Sequence, residues 1–146
     1  MKAINTYYAG HFFRSRTEAR WAVFFDCCGI EWRYEAEGYE LRGGRYLPDF
    51  WLPGFGMYFE VKPAAPTDKE QSKALALARE SGRVVLLAEG GPAEHFQIHW
   101  IDERGDDGRL YAIGRDRNAA AGYWLVCDDE LEPGTAGTSR WFGGGD

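Results

Sequence analysis

Asp49, Glu60 and Lys62 are the residues of this chain whose types and spacing most readily suggest chemistry. They lie in "YLPDFWLPGFGMYFEVKP" (Tyr46–Pro63), a run otherwise dominated by aromatic and branched side chains. Two apolar segments, Tyr46–Leu52 and Met57–Lys62, about a Pro-Gly-Phe-Gly turn read as the strands of a β-hairpin. A hairpin centred on Gly54–Phe55 sets Asp49 directly opposite Glu60, with β-carbons about 5 Å apart. Like charges facing each other destabilise a ladder, and a divalent cation would offset that repulsion. Strand side chains alternate with period two, so Glu60 and Lys62 share a face while Val61 points the other way. Two carboxylates and an ammonium therefore converge, a donor set suited to Mg²⁺ or Mn²⁺. The competing reading is a structural ion pair at a sheet edge.

The neighbouring elements must hold these groups in place. Ser15–Cys28 reads as a helix, with Ser15 as N-cap, Glu18 three residues on, and Gly29 as its stop. Trp21, Ala22, Phe25 and Cys28 form its apolar stripe, widened by Val23 and Phe24. Glu18 lies one turn before Trp21 and Ala22. It either completes a capping box with Ser15 or adds a third carboxylate to the metal. "IEWRYEAEGYEL" (Ile30–Leu41) alternates like a strand and breaks at Gly38. A second helix starts at Thr67 or Asp68 and runs to about Ser81, where Gly82 stops it. "RVVLLAE" (Arg83–Glu89) is a continuous apolar run, expected of a strand covered on both faces. Beyond Gly90, "HFQIHWI", "RLYAIG" and "GYWLVC" read as a meander of short aromatic strands. The expectation is one α/β domain over residues 1–146, with a core at about 10–89 and a β-rich C-terminal extension at about 90–146.

Pro48-Asp49, ten intervening residues, and Glu60-Val61-Lys62 resemble the PD-(D/E)XK nuclease motif. "FRSRTEARWAVFFDCCGIEWRYEAE" looks like the first helix and strand of that superfamily's small phage and bacterial members, with Glu18 where a helical glutamate precedes the motif. The resemblance covers about Gly10 to Glu89 in the right element order. It implies a restriction-endonuclease-like core, a mixed central sheet flanked by helices. It also implies a Mg²⁺-dependent deoxyribonuclease, expected to act as an endonuclease. Asp49 and Glu60 would ligate the metal with the Val61 carbonyl and Glu18, and Lys62 would orient the attacking water and stabilise phosphate charge. A fold of this kind without catalysis, binding nucleic acid or regulating a protein, is the alternative; a structural or assembly protein is a third reading.

Candidate phosphate contacts are Arg14, Arg16 and Arg20 at the start of the first helix, and Lys69 and Lys73 on the second. Each is also readable as a solvated surface cation. His11 and Gln71 could touch substrate, and Glu35 could support the metal shell below Glu18 in rank. Trp100, Tyr111, Tyr123 and Trp124 read as packing residues ahead of base-stacking platforms.

The net charge of −6 argues against DNA binding by charge alone. Residues 1–62 carry eight basic and eight acidic side chains, so the whole imbalance lies in residues 63–146. "DERGDD" and "DDELE" read there as solvated loops, and this acidic half offers a docking surface for a protein partner. A homodimer would suit a lone catalytic domain that must cut two strands. "KAINTYYAGHFFRSR" is too polar and aromatic for a signal peptide, and no run is long enough for a membrane span. The expected setting is the cytoplasm, without a membrane. Cys27, Cys28 and Cys127 form no C-x-x-C and read as buried small hydrophobes. The glycine-rich end "GTAGTSRWFGGGD" reads as a frayed tail.

Overall fold

The computed structural model describes residues 5–92, 97–116, 122–127 and 139–140, with side chains for 5–92 and 97–108. The expectations for "DDELE", for most of the C-terminal tail and for the side chains of Tyr111, Tyr123, Trp124 and Cys127 lie outside what is described.

The fold is mixed α/β. In chain order it runs β1 (Thr6–Tyr8), β2 (His11–Phe13), α1 (Arg16–Cys27), β3 (Arg33–Tyr34), β4 (Tyr39–Leu41), β5 (Gly44–Tyr46), β6 (Phe50–Leu52), β7 (Met57–Lys62), α2 (Asp68–Ser81), β8 (Val85–Glu89), β9 (Gln97–Ile101), β10 (Asp107–Asp116), β11 (Gly122–Cys127) and β12 (Ser139–Arg140). The main sheet has the order β12-β11-β10-β9-β8-β7-β6-β3. Its β7–β8 pair is parallel, with α2 as the crossover, and its other pairs are antiparallel. The last strands thus extend the same sheet as a meander.

Both helices begin and end where their capping residues dictate. The Ser15 side chain accepts from the Glu18 amide at the start of α1. Thr67 and Glu70 form a complete capping box on α2, and Gly82 closes it in the left-handed region at φ 68°. Trp21, Ala22 and Phe25 of α1 pack on Phe50, Leu52 and Phe59 on one side of the sheet. Ala74, Leu77 and Ala78 of α2 pack on Tyr58, Val85 and Leu87 on the other. β8 sends Leu86 and Ala88 to the first core and Val85 and Leu87 to the second, all four fully buried. That is the physical cause of its unbroken apolar sequence.

Several expectations need correcting. The strand expected from Tyr46 to Leu52 starts only at Phe50, and Tyr46 belongs instead to the separate β4–β5 hairpin. Pro48 lacks the N–H that the ladder would need there. The Ile30–Leu41 segment splits into β3 and β4, and Glu35, at φ 49°, turns the chain between them. The β1–β2 hairpin was not anticipated; Ala9 and Gly10, both at positive φ, make its two-residue turn. Cys27 is exposed rather than buried, because it faces away from the stripe that Phe25 occupies. Val23 is likewise largely exposed.

Candidate active site

Glu18, Asp49 and Glu60 are the buried charged residues of the described structure, each less than a tenth exposed. The hairpin that brings two of them together has the expected register: Phe50 pairs with Phe59, Trp51 with Tyr58 and Leu52 with Met57. One step further sets Asp49 opposite Glu60. The Asp49 amide donates to Glu60 Oε1 at 2.6 Å, and the Val61 amide donates to Asp49 Oδ2 at 2.8 Å. Each acid is thus held by the backbone beside the other acid.

The Val61 N–H thus points to Asp49, and Pro48, which has no N–H to offer the ladder, lies just before β6.

Lys62 Nζ lies 3.4 Å from Glu60 Oε2 and 3.3 Å from Glu70 Oε2. Burial opposes its charge, but Glu60 and Glu70 outweigh it and hold the ammonium above its ordinary value. Glu70 reaches Lys62 with one oxygen while the other accepts from the Thr67 amide at 3.0 Å. The first turn of α2 therefore fixes the lysine. The Arg14 guanidinium lies 3.1 Å from Asp49 Oδ1 and 2.7 Å from Glu35 Oε1. The Glu35 contact is an ion pair without hydrogen-bond alignment, since that oxygen has no directed donor. Glu18 accepts from Ser15 Oγ at 2.9 Å and from the Tyr34 phenol at 3.0 Å. Burial pushes Tyr34 up to about 12, so it stays a donor. Glu18 meets Ser15 through the hydroxyl, which accepts from its amide and donates to its carboxylate, and the carboxylate lies near enough to Asp49 to raise it.

Five carboxyl groups thus surround two cations. Burial, and then the charge of Glu60, push Asp49 from 3.8 up to about 8. Burial also raises Glu60, against the opposing pull of Lys62 and the Asp49 amide. A site with excess buried carboxylate has the donor chemistry that hard divalent cations take. By that test the residues fit Mg²⁺ or Mn²⁺. Among the described residues no three His, Cys, Asp or Glu side chains already form a ligand set. The carboxylate oxygens of Asp49 and Glu60 are instead held by Arg14, Lys62 and backbone amides.

Of the expected phosphate contacts, Arg14 is engaged by the acids, while Arg16, Arg20, Lys69 and Lys73 are exposed and in no ion pair among the described residues. His11 stacks loosely with Trp32, Phe13 and Tyr34, and Gln71 bonds the Pro66 carbonyl. Trp100 is buried, as expected of a packing residue. Three participants were not singled out beforehand. Glu70 was readable from Thr67-x-x-Glu70, a capping-box spacing just after the motif. Tyr34, which hydrogen-bonds Glu18, and Tyr46, whose phenol is pushed up by burial and by nearby Glu60, carried no such signal. Compared with family models, with curated proteins and with solved structures, the chain matches none. No described helix is long and apolar enough to cross a membrane.

Proposed function

We propose that this protein is a metal-dependent nuclease of the PD-(D/E)XK type, an endonuclease hydrolysing DNA phosphodiester bonds. The observation that supports this reading is the convergence of Glu18, Asp49 and Glu60, buried acids, with Lys62 at the end of one hairpin. Asp49, Glu60 and the Val61 carbonyl would hold Mg²⁺ or Mn²⁺, with Glu18 behind Asp49. The bound metal would supply an acidified water and neutralise charge building on the phosphoryl oxygens.

The chain's own groups account for the rest. Lys62 keeps its proton beside Glu60 and Glu70, so it acts as a fixed positive charge that orients water and phosphate rather than as a base. Glu70 positions Lys62, and Tyr34 positions Glu18. Arg14 neutralises Asp49 and can exchange that carboxylate for a phosphate oxygen.

The test is a cleavage panel of linear, nicked, forked and four-way DNA with Mg²⁺ or Mn²⁺. Cleavage lost in Asp49→Ala and in Lys62→Ala supports the proposal; no cleavage of any substrate with either metal overturns it. A second reading draws on the closed hydrogen-bonding of the acids: a nuclease fold that binds nucleic acid or a protein without catalysis. Calorimetry separates the two. The enzyme should show a Mg²⁺ or Mn²⁺ signal that Glu60→Gln abolishes, and the non-catalytic module none.

A further inference from the structure

A cavity of about 390 Å³ lies near the opposite end of the same hairpin, bounded by Arg33, Glu37, Tyr39, Trp51, Tyr58 and Arg83. That volume is in the range of small-ligand sites, about 300–1,000 Å³. Three features distinguish it from an ordinary surface dent. It is walled by aromatic rings: Trp51 and Tyr58 are cross-strand partners with ring centroids 4.8 Å apart, and Tyr39 packs edge-on against Tyr58. Tyr39 and Tyr58 are joined through their hydroxyls, and Tyr39 reaches Glu37, which holds the wall in place. Its two guanidiniums, Arg33 and Arg83, have no ion-pair partner among the described residues of a chain whose net charge is −6. Arg83 lies over the Trp51 ring at 5.6 Å from its centroid.

Trp51 lies on β6 two residues after Asp49, about 7 Å along an extended chain. An aromatic floor with two unpaired guanidiniums suits a planar ring carrying a phosphate. A base stacked inside a duplex cannot present its face to Trp51, whereas an unpaired one can. We propose that this cavity binds an unpaired nucleotide of the strand that lies across Asp49 and Glu60: the base stacks on Trp51, and Arg33 and Arg83 take its phosphates. The inference rests on the nuclease reading and sharpens it, because it names single-stranded or locally melted DNA as the substrate class.

The test measures binding in EDTA, so that catalysis has no part in it. The probes are a fluorescently labelled single-stranded oligonucleotide carrying 2-aminopurine, the same sequence as blunt duplex, and a free deoxynucleoside monophosphate. The single strand should bind at least tenfold tighter than the duplex, and its 2-aminopurine should be quenched. Trp51→Ala should abolish the quenching and weaken binding about tenfold, within the ~1–3 kcal/mol range for stacking on one aromatic residue. Trp51→Phe should retain most of both. Arg33→Gln with Arg83→Gln, two surface changes that leave the core intact, should weaken binding and flatten its salt dependence. Equal affinity for duplex and single strand, unchanged quenching in a folded Trp51→Ala, or a mononucleotide binding as tightly as the oligonucleotide would each overturn the proposal. Single-strand binding through Trp51 without cleavage by any metal would uphold the cavity and remove hydrolysis.

Discussion

The metal-free protein should lose stability as pH rises from about 5 to 8, and Asp49 should be a principal cause. A carboxyl whose folded value lies above its unfolded one holds its proton more tightly in the fold. Its contribution is complete below the unfolded value and is lost as pH climbs through the folded one. For Asp49 those limits are 3.8 and about 8. Within that window each pH unit removes up to about 1.4 kcal/mol, so one carboxyl titrating this way costs roughly 3–4 kcal/mol between pH 5 and pH 8. Relaxation around Arg14 and sharing of the proton with Glu60 reduce that figure, and about 2 kcal/mol is a fair expectation. The change is a sizeable share of the ~5–15 kcal/mol typical of a domain. Urea unfolding in EDTA would show it as a midpoint shift of about 1 M, given slopes of ~1–3 kcal/mol/M. Asp49→Asn should flatten the profile and leave the variant more stable than the wild type at pH 8. Mg²⁺ at pH 8 should recover the lost stability in the wild type and not in the variant, since a ligand bound only by the folded state stabilises it. A wild type equally stable at both pH values, or a variant whose profile runs parallel to it, would refute the argument that these acids oppose the fold.

Three further outcomes follow from the packing and the caps. Lys62→Ala should lower cleavage about 10²–10³-fold, as loss of one preorganised charge does elsewhere, with an unchanged circular dichroism spectrum. Thr67→Ala should cost about 1 kcal/mol in chemical denaturation by removing the hydroxyl that accepts from the Glu70 amide, but it keeps the Thr67 amide that holds the Glu70 carboxylate, so it should leave any cleavage rate intact, whereas Glu70→Ala, which removes the carboxylate beside Lys62, should slow it. Gly108→Ala should destabilise the sheet by roughly 1–3 kcal/mol in chemical denaturation, because the new β-carbon would sit 2.6 Å from Nε1 of the buried Trp100 on the paired strand.

What could be read beforehand was whatever rests on local rules. Ser15, Gly29, Thr67 and Gly82 bracket their helices through short-range capping chemistry, and the Gly54–Phe55 turn sets a hairpin register that brings Asp49 opposite Glu60 without any tertiary information. The buried strand at Val85–Glu89 announced itself because both of its faces are covered. The misplaced boundaries arose where one residue overrides a pattern. Pro48 cuts short an otherwise continuous strand, and Glu35 takes a left-handed conformation that sequence seldom discloses for a glutamate. Long-range partners were out of reach for a different reason. That Arg14 meets Asp49, or Tyr46 meets Glu60, depends on how the β4–β5 hairpin and the start of α1 dock, and nothing local encodes those approaches.

The one parallel pairing among the described strands, β7 with β8, bears on the order of assembly. β6 and β7 meet through a tight turn, yet that ribbon alone is marginal and sets two acids face to face. β7 gains its other neighbour only after the chain has travelled out through α2 and returned as β8. Closing so long a loop is slow compared with hairpin formation. The acids should therefore be held together only late, when the helix and the returning strand clamp the ribbon, so that the acid cluster is completed in the same cooperative step as the core.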